Sequence, residues 1–297
     1  MLDGSCLQCS YVESQPKGVG EVQAHSTGKA EERVSGSERL LIEVFGDVGN
    51  FDVIRTLPPS VYRDALRRHH RLDENFETKQ EAKISRRMLK IGLWLRGAPS
   101  GVLEYVTGFF EGDGHLGERT INATQIVSEP LDFIKTSTLG VNVCRTKKGV
   151  WQANCSRREY YQLLLTVFAE HVVSETFLET LNMRLGERSI SLTTKHDPTI
   201  DWLAGFWDAK GSVPKHSYNL NIGQKERYVL DAIQRVFGGR VFIQKERGLL
   251  DIFGWSVCRE TGSVELASQL WERTHHPKRR EQLESLLTRA YIAEHHL

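Results

Sequence analysis

A ten-residue segment of this chain occurs twice. Residues 105–114 read YVTGFFEGDG and residues 202–211 read WLAGFWDAKG, which sets Gly108 over Gly205. The stretches C-terminal to the two copies share one order of elements, so the chain is expected to hold two similar halves in one polypeptide, an internal pseudo-dimer. After Gly211 the apolar pattern predicts a strand over 218–224, then a helix carrying Val229, Leu230, Ile233, Val236 and Phe237. A Gly238-Gly239 turn, two strands (RVFIQKE and LLDIFGWSVC) and helices from about residue 261 complete that half. The first copy runs likewise. It predicts a strand through Ile126, a helix from Glu129, a stop at Leu139-Gly140, strands VNVCRTK and VWQANCS around Lys148-Gly149, and the helix RREYYQLLLTVFAEHV. The expected fold class is α+β, a pseudo-twofold pair of αββαββα-type halves.

Within each copy a small pair, Thr107-Gly108 or Ala204-Gly205, strips one helix face of bulk. Two such helices approach closer than the usual separation of about 8–10 Å. A helix glycine with no packing role costs up to about 1 kcal/mol, and here one occurs twice in register. Gly108, Ala204 and Gly205 are therefore candidate interface residues, while the neighbouring Phe and Trp side chains enter each half's own core.

Lys plus Arg number 39 against 38 Asp plus Glu, so no global field draws in a polyanion and any nucleic-acid surface must be a local patch. No apolar run approaches the roughly 20 residues of a membrane span, and the opening MLDGSCLQCSYVES lacks the basic and apolar regions of a secretory signal. The five cysteines form no spaced framework. Cys6 and Cys9 make a CxxC without a second pair at zinc-finger spacing, which reads as two free thiols. Residues 1–38 are poor in large apolar side chains and read as a disordered tail. Residues 39–98 read as a helical extension, PPSVYRDALRRHHRL and NFETKQEAKISRRMLKIGLWLRG, suited to docking a protein or RNA or to covering the main domain. The first repeat spans 99–196 and the second 197–297.

Both copies resemble the LAGLIDADG motif of the homing endonucleases, over about residues 100–297. The resemblance implies paired helices ending at the centre of a saddle, with antiparallel sheets lying in a DNA major groove. It also implies that the last acidic residue of each motif holds divalent metal at the scissile phosphates. Asp113 fits that place, with the Gly112 carbonyl as a second ligand, and oxygen donors suit Mg²⁺. Gln224 falls where the family has a residue positioning water, with Ser128 in the first copy. In HHPKRREQL, Lys278 or Arg279 is the candidate for polarising a phosphate or water, and the segment around Arg184 is a poorer match. Glu111 and Asp208 are expected to serve the helix ends structurally.

Two departures from the family pattern stand out. Lys210 occupies the place of the second carboxylate; a protonated ammonium has no lone pair for a metal, repels a dication and is expected to pair with Asp113. The stretches after Gly114 and Gly211 leave hairpin arms of only about four or five residues, roughly 15 Å, which crops base readout. Local basic clusters remain: Arg145, Lys147, Lys148, Arg157 and Arg158 in one half, and Lys225, Arg227, Arg240, Lys245 and Arg247 in the other. Two functions stand as expectations. One is a nucleic-acid binder with impaired cleavage, binding RNA as a maturase or as part of an organellar ribonucleoprotein such as a ribosome. The other is a Mg²⁺-dependent DNA endonuclease or nickase. The resemblance points to a mitochondrion or plastid; the residues themselves name no compartment.

Overall fold

Helix α1 (Ser100–Asp113) and helix α5 (Ile200–Lys210) carry the two copies of the repeat and pack against each other at the middle of the structure. The computed structural model describes residues 90, 91, 94, 97–185, 196–244, 252–259 and 262–295. The tail expected over 1–38, most of the extension expected over 39–98, and the Cys6–Cys9 motif lie outside these residues.

The small-residue face does what its composition requires. A Cβ placed on Gly108 would sit 2.0 Å from the carbonyl oxygen of Trp202, and one on Gly205 would sit 2.0 Å from that of Tyr105. Ala204 is fully buried between them. Toward the C-terminal ends, a Cβ on Gly112 would lie 2.4 Å from that of Ala209. The two helices are thus in backbone contact, closer than side-chain ridges allow. Helix α5 starts cleanly because the Thr199 hydroxyl accepts from the Trp202 N–H at 3.2 Å, with Asp201 in the first turn.

Each helix runs straight into a sheet. The first half continues with β1 (Gly114–Leu116), β2 (Ile121–Gln125), α2 (Glu129–Ser137), β3 (Asn142–Arg145), β4 (Trp151–Cys155), α3 (Arg158–His171) and α4 (Glu175–Leu185). The second continues with β5 (Gly211–Ser212), β6 (Leu220–Gln224), α6 (Arg227–Phe237), β7 (Arg240–Gln244), β8 (Ile252–Val257), α7 (Ser263–Trp271) and α8 (Pro277–His295). Both sheets are antiparallel with equivalent strand orders, β1-β2-β4-β3 and β5-β6-β8-β7. The α+β class and the paired halves are both present.

Strand ends differ slightly from the expectation. The first strand stops at Gln125 rather than Ile126, and the second begins at Leu220 rather than Tyr218. The leading arms are shorter still, at 3 and 2 residues. Strand alternation puts Ile121, Ala123 and Ala153 on one side and Leu220, Ile222, Trp255 and Val257 on the other half's equivalent, all buried against helices. The indole N–H of Trp255 donates to the Gly238 carbonyl at 2.8 Å, pinning a turn in which Gly238 and Gly239 have φ of 72° and 83°. Val229, Leu230 and Ile233 of α6 are buried as their spacing predicts, whereas Val236 faces out. Ahead of α1, Ile91 is fully buried and the Trp94 indole donates to the Ser137 carbonyl at 2.9 Å, so the last turns before the repeat pack on α2.

Candidate active site and nucleic-acid interface

Asp113 and Lys210 are the last residues of α1 and α5, and the close helix approach brings their side chains together. Lys210 Nζ lies 2.7 Å from Asp113 Oδ1. The other oxygen, Oδ2, accepts from Gln125 Nε2 at 2.5 Å. Asp113 keeps 20% of its side chain exposed and Lys210 keeps 31%, so the pair sits at a half-open surface. Gln125 was not among the residues expected from sequence. It ends β2 as Gln224 ends β6, in strands reading INATQ and LNIGQ, so the counterpart of Gln224 is Gln125 rather than Ser128, which sits at the N-cap of α2. Gln224 is turned to its own chain, where its Oε1 accepts from the Lys225 N–H at 2.9 Å.

The other two motif acids form crossed braces. Glu111 of α1 accepts from the Val173 and Ser174 N–H groups, at 3.0 and 2.6 Å, where α4 begins. It also accepts across the interface from the Trp202 indole at 3.0 Å. Asp208 of α5 accepts from the His275 and His276 N–H groups, at 2.7 and 3.1 Å, where α8 begins. Its cross-interface donor is the Tyr105 hydroxyl at 2.6 Å. Tyr105 and Trp202 open the two copies of the repeat, so each copy ties its partner's acid down. The structural role of Glu111 and Asp208 at helix ends is visible in these contacts.

Burial outweighs those hydrogen bonds and pushes Glu111 up to about 8 and Asp208 up to about 7. Burial pushes His275, stacked on Phe133 at 3.6 Å between centroids, down to about 4, and lowers His276 as well. The signs oppose one another. The raised carboxyls contribute stability that is complete below their ordinary values and lost as pH rises through about 7 and 8. The lowered imidazoles contribute stability present above the ordinary 6.5 and lost as pH falls toward 4. Between those limits the two slopes offset. The melting temperature is therefore expected to vary little between about pH 4.5 and 6.5, where the slopes oppose, and to fall most steeply from there toward pH 8, which thermal unfolding across that range would check.

Lys278 is exposed at the second position of α8, while Arg279, half-buried, turns inward. Burial lowers the Arg279 guanidinium pKa, and the charges of Asp208 and Asp113 oppose that shift, which places it in the field of both carboxylates. Its Nη1 donates to Gln282 Oε1 at 3.3 Å and its Nε is buried without a partner. Of the two basic residues the sequence nominated here, Arg279 is the one facing the motif acids.

The open faces of the sheets are poor in charge. Cross-strand registers put Asn122, Thr124, Asn142, Cys144, Gln152 and Asn154 on the first, and Asn221, Gly223, Arg240, Phe242, Gly254 and Ser256 on the second. Arg145, Lys147 and Lys148 are exposed at the β3–β4 turn, where Arg145 Nε donates to the Gly149 carbonyl at 3.1 Å. Arg157 is exposed just before α3, and Lys225 and Arg240 are exposed in the second half. The Arg158 side chain, Lys245 and Arg247 lie outside the described residues. The placed cations therefore flank the sheets more than they pave them.

No family model and no curated protein matches the chain. Among solved structures, the meganuclease I-AabMI bound to uncleaved DNA is similar at 14% identity and a TM-score of 0.46, covering 65% of this chain and 91% of that one. I-GzeII in complex with its DNA target matches at 14% identity and a TM-score of 0.46, over 65% of this chain and 90% of that one. I-SmaMI bound to cleaved DNA matches at 16% identity and a TM-score of 0.45, over 65% and 89%. All three are described as LAGLIDADG endonucleases. The paired helices and equivalent strand orders agree with the fold that the repeat's resemblance to the LAGLIDADG motif implies. Similarity at this level carries nothing about chemistry or partners; those rest on the residues of the chain itself.

The motif resemblance implies a divalent metal held by facing carboxylates at the two helix ends. The residues here do not fit one. Both oxygens of Asp113 are engaged, one by a cation, and the position facing it carries an ammonium in place of a second oxygen donor. Gly112 packs against Ala209 at the same helix ends. Among the described residues no group of three or more His, Cys, Asp or Glu side chains is placed to hold a metal ion.

Proposed function

We propose that this chain is a nucleic-acid-binding protein on a LAGLIDADG-like scaffold whose cleavage centre is closed. The observation that carries this reading is the 2.7 Å contact between Lys210 Nζ and Asp113 Oδ1, with Gln125 on the second oxygen. Binding without metal-dependent hydrolysis is what such a centre supports, since the ammonium neutralises Asp113 without supplying an open coordination position. The short hairpins and amide-rich open faces support recognition of a compact or partly unpaired nucleic acid more than of a long duplex. RNA as the partner, and a place in a splicing or ribosomal ribonucleoprotein of a mitochondrion or plastid, belong to this proposal.

The test pairs binding with cleavage. Filter binding to plasmid DNA and to a structured RNA is expected to be the same in EDTA as in Mg²⁺, with supercoiled plasmid left intact. Mg²⁺-dependent nicking or linearisation by the pure protein would overturn the reading in favour of an endonuclease or nickase working through Asp113.

A further inference from the structure

The two open faces share one register but differ in the side chains that two adjacent rows carry. Gln125 pairs with Trp151 and Gln224 with Phe253, which aligns the rows one register step inward. In the first sheet the adjacent row is Thr124, Gln152 and Cys144. In the second it is Gly223, Gly254 and Phe242, so two side chains are gone and an aromatic ring has taken the place of the thiol. The tip of that ring covers Gly254, where an added Cβ would sit 2.6 Å from its Cζ, and the residue remains 39% exposed. Gly223 has nothing within 4 Å of where a Cβ would be, which leaves a bare floor beside the ring.

The neighbouring row changes in step. In the first sheet Asn154 Nδ2 donates to Asn122 Oδ1 at 2.6 Å. Ser256 replaces that donor in the second sheet, and Asn221 Oδ1 is buried with no partner. At the end of the same row the Arg240 guanidinium lies 5.9 Å from the Phe242 ring centroid.

We propose that this slot takes one unpaired base of a single-stranded nucleic acid: the base stacks on Phe242 and Arg240 meets its phosphate. The proposal rests on the nucleic-acid-binding reading above. Charge complementarity selects the occupant. Arg240 is the one cationic side chain among the described residues of that face, beside one open ring, which matches the single charge and single ring of one nucleotide. A duplex keeps its base faces stacked and offers Phe242 nothing to pair with, whereas unpaired bases bind by stacking on aromatic side chains. An apolar protein surface would cover the ring but leave Arg240 unmet.

Oligonucleotides carrying 2-aminopurine, as single-stranded RNA, single-stranded DNA and duplex DNA, test the slot with the full chain. Wild-type protein is expected to bind the single strands and quench the fluorophore. Phe242→Leu should weaken that binding about tenfold and abolish quenching while duplex affinity stays unchanged. Gly223→Thr, which installs the first sheet's residue on the open floor, should do the same. Circular dichroism and melting curves confirm that both variants fold. Quenched binding of either single strand supports the slot, since stacking and the phosphate contact are common to RNA and DNA. If Phe242→Leu changes only the melting temperature, the ring merely shields Gly254 and the slot is wrong, while the nucleic-acid reading stands. If wild type binds none of the three, that reading falls as well.

Discussion

Gly205→Ala is expected to cost at least about 3 kcal/mol of stability and to lower the melting temperature by roughly 10 °C, with Gly108→Ala similar. The reason is where the new methyl group lands. It would meet the Tyr105 carbonyl oxygen at 2.0 Å and the Phe109 nitrogen at 2.8 Å, both backbone atoms of a helix that cannot turn aside as a side chain can. Separating α1 and α5 to make room would also pull Tyr105 from Asp208 and Trp202 from Glu111, leaving buried acceptors short of donors. Gly223→Ala serves as the control, since a Cβ there meets nothing within 4 Å. Thermal unfolding of the two variants side by side checks this. A Gly205→Ala protein that melts with wild type would show that the helices are not in backbone contact.

The same glycines explain why so much of the fold was legible. A residue that weakens a helix yet recurs in register needs a reason, and close approach of two helices is one that sequence alone can name. The order of elements came from the apolar period, with the turn at Gly238-Gly239 marking the β7 boundary. The Lys210–Asp113 contact was legible too, because both residues end their helices and the helices meet. Gln125 was missed because the two halves set their second strands at different distances from the motif glycine. The first connection spans 117–120 and the second 213–219, so equal counts land on different positions, whereas matching INATQ to LNIGQ pairs the two glutamines. The crossed braces could be assigned to helix ends but not to partners. Tyr105 meets Asp208 across 103 residues of sequence, and only the packed pair of helices brings them within 2.6 Å. Val236 fits the apolar spacing of α6 but is 44% exposed, because apolar period alone does not say how wide a stripe the sheet covers.

Lys210→Asp is the substitution with the largest expected gain. It removes the ammonium from Asp113 Oδ1 and sets a second carboxylate at the facing helix end, so two hard oxygen donors replace an ion pair 2.7 Å across. Gln125 stays on Oδ2 and orients Asp113, and the glycine contacts that hold the helix ends together are untouched. Saturable Mg²⁺ or Mn²⁺ binding should therefore arise where wild type has none. In the absence of metal the two facing carboxylates repel, so the variant should also melt lower than wild type in EDTA and recover when metal is added.

Calorimetric titration of Mn²⁺ into wild type and Lys210→Asp measures this directly. A closed centre predicts no saturable heat for wild type and a saturable isotherm for the variant. Equal, saturable binding by both proteins would mean that the lysine does not shut the site, and the proposed loss of cleavage would lose its physical basis.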